Sequence, residues 1–171
     1  SSEHSIHSLH SHGPVEHSDA EKSNTTRKLL ARWSEEEECA LVLYLQEHAP
    51  AAGDGLNFLK KHFNNATQHL KTQFPNQRGG EKIGTTCASK WTALKEEYFA
   101  VIDLKNASGF TWSDEHGAGM ESHDPVWRDY LKVMLVLQSH RCAAHFRNKG
   151  FHLFSLMAEM MPSHSKGMHI F

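Results

Sequence analysis

Five stretches of the chain carry apolar residues at helical spacing, separated by polar connections that contain Gly or Pro. Trp33, Leu41, Tyr44 and Leu45 predict a first helix over 33–48. Ser34 and Glu37 stand in capping-box register at its start, and Glu35 to Glu38 suit the positive end of the helix dipole. Pro50, Gly53 and Gly55 then break the pattern. Leu59, Phe63, Ala66, Leu70 and Phe74 step by three and four, which predicts a second helix over 58–73, stopped by Pro75. Lys60, Lys61, His62, His69 and Lys71 make its outer face basic.

The longest pattern follows, over 85–108. Cys87, Trp91, Leu94, Tyr98, Val101 and Ile102 form its apolar stripe. Thr85 or Thr86 is the expected cap and Gly109 the expected stop. Opposite the stripe lie Thr85, Ser89, Thr92, Ala93 and Glu96, with Lys90 and Lys95 on the flanks. Spacing alone fits a helix that lies in a major groove and, more readily, an ordinary surface helix.

Beyond it, Phe110 and Trp112 alternate with small polar residues, which predicts a short hairpin tucking two aromatics under a bundle. Asp124 and Pro125 open another helix, carrying Val126, Trp127, Tyr130, Leu131 and Met134. The run 133–137 is apolar on every side, so it is either buried or a sticky patch. Residues 141–150 read as a basic connector, and Phe151, Phe154, Met157, Ala158 and Met161 as a last helix stopped by Pro162. The expected organisation is all-α: a disordered tail (1–24), a helical core (31–108), an accessory hairpin and helices (109–162), and a flexible end (163–171).

Composition changes this picture little. The 171 residues are 39% hydrophobic and 22% charged, with a net charge of -2, so bulk charge does not point to nucleic acid. A basic face would have to be local. Cys39, Cys87 and Cys142 are far apart and odd in number, which suits free thiols in a reducing compartment. No apolar run approaches the roughly 20 residues of a membrane span, and no signal peptide is visible. The tail histidines His4, His7, His10, His12 and His17 lack a scaffold to fix ligand geometry, so no metal or cofactor is expected. The glycines before Thr86 look briefly like a phosphate-binding loop, but Thr85 stands where that loop needs Lys, and a helix precedes it. No acid, base or nucleophile sits at catalytic spacing, so an enzyme is not expected.

Six segments in order carry a resemblance: WSEEEECALVLYL, GDGLNFLKKHFNNATQHL, CASKWTALKEEY, GFTWSDEHG, DPVWRDYL and FRNKGFHLF. Together they resemble the Myb/SANT-like DNA-binding domain family, most closely its fungal type, related to plant and transposon-associated proteins. The likeness runs roughly from Ala31 to Pro162. It implies a three-helix bundle with a helix-turn-helix, built on Trp33, Phe63, Trp91 and Leu94, with extra C-terminal helices. It implies double-stranded DNA as partner, with the third helix toward the major groove. Ala88, Thr86, Ser89, Thr92 and Ala93 would then face bases, and Lys60, Lys61, Arg78, Lys82, Lys90 and Lys95 would face phosphates. It further implies a nuclear regulator or a domesticated transposon-associated factor. Two departures stand out. Relatives commonly have Lys or another long polar residue where Ala88 stands, and a short polar stretch where 133–138 is apolar. Such bundles also bind proteins, so the competing reading is an interaction module for a histone tail, another chromatin protein or a transposase-like partner.

Overall fold

A computed structural model describes residues 29–137 and 141–162; the tails expected at 1–24 and 163–171 lie outside them. The described chain is helical. Helix α1 is Glu35–Glu47, α2 is Lys60–Gln73 and α3 is Gly84–Asn106, followed by α4, Pro125–Val136, and the short α5, Phe154–Ala158.

Helix α1 starts where its sequence says it should. Ser34 Oγ accepts the Glu37 N–H at 3.2 Å, and Glu37 Oε2 accepts the Ser34 N–H at 2.9 Å. This reciprocal cap satisfies two otherwise orphaned donors. It also leaves Trp33 outside the helix, half-buried at the edge of the bundle rather than in the core. Leu41, Val42 and Leu45 are the residues α1 buries completely.

The connection to α2 contains two 3-10 turns, Ala49–Ala51 and Asp54–Leu56. Leu56 has a φ of 56°, a left-handed conformation that costs a branched side chain about 1–3 kcal/mol. Its carbonyl there accepts the indole N–H of Trp91 at 3.1 Å. A buried Trp needs that partner. Phe58 precedes α2 instead of opening it, yet it is buried and meets both Phe63 and Trp91 edge-on. Phe63, Trp91 and Leu94 are all buried, and α2 packs along α3. Thr67 on α2 meets Cys87 on α3, Oγ1 to Sγ, at 3.6 Å.

The cap of α3 differs from expectation. Ile83 is its N-cap and no side chain closes it, so Thr85 and Thr86 lie inside the first turn. The last turn ends at Ala107, and Gly109 reverses the chain with a φ of 98°.

The C-terminal third forms a layer on the distal half of α3. The expected hairpin is only a tight turn, closed by reciprocal backbone bonds of 2.8 Å between Ser113 and Gly117. It tucks in both aromatics: Phe110 meets Trp127 and Tyr130, and Trp112 meets Phe146. Asp124 caps α4 by accepting the Val126 N–H at 2.8 Å. The connector expected after α4 is in fact a 3-10 helix, Arg141–Phe146, which buries Ala143 and Phe146. The apolar spacing of those two residues is short, and the basic ones around them mask it. The last helix is shorter than its apolar pattern. Phe151, Leu153 and Met161 are buried from turns on either side of α5, and Phe154 stacks on Tyr98 of α3 with ring centres 5.1 Å apart. Of the two outcomes open for 133–137, the structure gives the exposed patch: Val136 is 81% and Leu137 64% accessible.

Beneath Trp33 runs a buried ion pair. Lys82 is fully buried and its Nζ lies 3.0 Å from Glu37 Oε1, without a well-directed hydrogen bond. The ammonium also sits 5.3 Å from the centre of the Trp33 ring. One carboxylate therefore caps α1 with one oxygen and neutralises Lys82 with the other. Removing one member of such a pair leaves an uncompensated buried charge. Gln can still serve the cap, so Glu37→Gln isolates the ionic part. It is expected to cost about 3–5 kcal/mol in urea unfolding.

Candidate nucleic-acid interface

The outer face of α3 is open. Thr85, Ser89, Thr92, Ala93 and Glu96 are all exposed, and Thr86 and Ala88 are half-buried at its margins. The C-terminal layer packs on α3 through Tyr98, Glu97 and Lys105, further along the helix and to its side. The hydroxyls of Ser89 and Thr92 donate back to the carbonyls of Thr85 and Ala88, at 3.0 and 3.1 Å. Such bonds satisfy the hydroxyl locally and leave its lone pairs outward. The face is thus short, weakly polar and ends in one carboxylate, Glu96.

The basic residues divide sharply. Lys60, Lys61 and Arg78 are exposed. Lys95 is partly exposed; its Nζ lies 5.8 Å from the centre of the Trp91 ring and near Gly55 O and Asn57 Oδ1. Burial there lowers its pKa from the ordinary lysine value. Lys82 is not available to a phosphate, contrary to expectation, because it is wholly buried against Glu37. Lys90 is largely committed as well: its Nζ is 2.8 Å from Glu38 Oε1 and 5.5 Å from the Trp33 ring centre. Spacing places Lys90 on the flank of the stripe, and the resemblance implies a phosphate role for Lys82 as well. Neither could show that the acidic first turn of α1 would claim them.

That acidic turn is accounted for in the same way. Glu35 faces Lys149 at 3.5 Å, Glu37 faces Lys82, and Glu38 faces both Lys90 and His152. Three of its four carboxylates are therefore engaged within the chain. Arg32 is the residue sequence reasoning missed. It is exposed, and its backbone N–H donates to the Arg78 carbonyl at 3.2 Å. No motif spacing links positions so far apart, so only the fold reveals the pairing.

An α-helical bundle whose second and third helices pack together, with one face of the third left open, is the frame of a helix-turn-helix protein. The Myb/SANT-like DNA-binding domain family matches residues 32–130, and the chain belongs to that family. The match takes in α1 to α3 and the first half of α4. No curated protein and no solved structure matches the chain. Among the described residues no group of His, Cys, Asp and Glu could hold a metal ion, and no helix is long and apolar enough to cross a membrane.

Behind the face, Glu97 closes a titratable seam. Burial raises its pKa, the nearby Glu38 raises it further, and Lys90, His145 and His152 oppose the shift. A carboxyl with a raised folded-state pKa holds its proton more tightly when folded. Its contribution to stability is greatest in acid and is lost as pH rises through that pKa, leaving a penalty at neutral pH. Glu97→Gln is therefore expected to raise the urea midpoint at about pH 7, with a smaller effect near pH 4.

Proposed function

We propose that the chain binds duplex DNA with the open face of α3 toward the major groove. The observation that carries this reading is that Thr85, Ser89, Thr92, Ala93 and Glu96 stay exposed although an extra helical layer packs on the same helix. Lys60, Lys61, Arg78 and Lys95 are the phosphate contacts in this reading; Thr86, Ser89, Thr92 and Ala93 meet base edges. Short side chains fit thymine methyl groups and make few bidentate bonds, so affinity rests mainly on phosphates and discrimination is modest. Glu96 adds an acceptor, which favours an exocyclic amino group opposite it, as on cytosine. The resemblance of the six sequence segments to the fungal and transposon-associated types is the support for reading the chain as a nuclear regulator or domesticated transposon-associated factor.

A second reading, a protein-interaction module, has one observation in its favour. A groove of about 520 Å³ runs between α1 and α2, with Leu43, Tyr44 and Phe74 among its apolar walls and Glu35, Glu36 and Glu47 around it. A basic peptide such as a histone tail suits it. The engagement of Glu35 by Lys149 weakens that fit.

The readings separate by titration of a random-sequence duplex at two salt concentrations. The DNA reading expects affinity to fall steeply with salt. Reversing the charge at Lys60 and Lys61 should weaken binding to all sequences alike and flatten the salt slope by about 2, one for each phosphate no longer neutralised. Absence of binding at low salt would exclude the DNA reading.

A further inference from the structure

The segment before α1 is held against the turn before α3. Ala31 and Gly79 form an antiparallel bridge, with Arg32 N–H donating to Arg78 O at 3.2 Å and Gly80 N–H donating to Leu30 O at 2.9 Å. The two glycines make this approach possible. Gly79 has a φ of 74°, and a Cβ there would collide with the Leu30 carbonyl oxygen; one on Gly80 would collide with that of Leu29. The bridge places two exposed arginines, Arg32 and Arg78, on one cleft of about 550 Å³, with Trp33, Phe74 and Asn76 among its walls.

We propose that Arg32 and Arg78 form a paired phosphate clamp that holds the duplex backbone beside the open face of α3. This rests on the DNA reading given above. Guanidinium groups present forked donors that match phosphate oxygens, and a main-chain bond holds the backbones of the two residues side by side. Arg78 stands six positions before Gly84, so its Cα lies within about 21 Å of the start of α3. In the clamp, Arg78 lies among the phosphates that border a major groove about 12 Å wide. The nearby carboxylates set the balance. Glu37 is spent on Lys82, while Glu36, kept ionised by hydrogen bonds from its own backbone N–H and from Ser34, stands at the cleft and opposes an anion. Two guanidiniums against one uncommitted carboxylate leave the cleft positive.

The test uses the full chain and a random-sequence duplex, read by fluorescence anisotropy between about 50 and 200 mM salt. Arg32→Gln should weaken binding uniformly and lower the salt slope by about 1, so its deficit narrows some three- to fourfold across that range. Arg32→Lys should restore the slope, and Glu36→Gln should tighten binding. Gly79→Ala, which pushes the arm off the turn, should reproduce the Arg32→Gln deficit and add nothing to it in the double variant. If Gly79→Ala fails to fold by circular dichroism, the Arg32 and Glu36 variants decide alone. Wild-type binding with an unchanged slope in Arg32→Gln overturns the clamp and leaves the DNA reading standing. No wild-type binding at low salt overturns both.

Discussion

The Glu37 carboxylate is the group on which the domain turns. One of its oxygens closes the first turn of α1 and the other faces an ammonium that has no access to water. Lys82 lies one residue before the cap of α3. The start of the first helix and the start of the third are therefore fixed to each other by a single side chain. A buried ion pair contributes little net stability against an apolar substitute, but it is costly to mismatch. Such a pair favours the register in which Lys82 meets Glu37, and so ties the start of α3 to the start of α1.

A second anchor acts from the opposite side. Trp91 is locked by its indole N–H to the Leu56 carbonyl and by edge contacts with Phe58. The strain at Leu56 is local and the bond it permits is long-range. Between these two anchors the first turns of α3 have little freedom to rotate. The C-terminal layer grips the other half through Tyr98 and Phe154 and leaves the front open. The extra helices thus lengthen the support of α3 without covering it.

Much of the helical frame was legible because periodicity and caps agreed. The Ser34–Glu37 box and the Asp124–Pro125 start each combine an apolar period with a specific backbone need, while the Trp91 stripe was legible from its period alone. Where those cues were absent the reading failed. Ile83 caps α3 without a hydrogen-bonding side chain, and Arg141–Phe146 curls without a helical stripe long enough to see. Charges were the least legible. Lys82 and Lys60 look alike in a sequence; one is buried and the other exposed because of a carboxylate 45 positions away from the first, at Glu37. Ion pairs between distant positions carry no spacing rule.

This division of the lysines has a chemical consequence. A reagent that acylates exposed amines would reach Lys60 and Lys61 in the folded protein and not Lys82. The charges that hold the fold and the charges that meet solvent are separable by covalent modification. The outer set can be neutralised chemically while the pair beneath Trp33 stays intact.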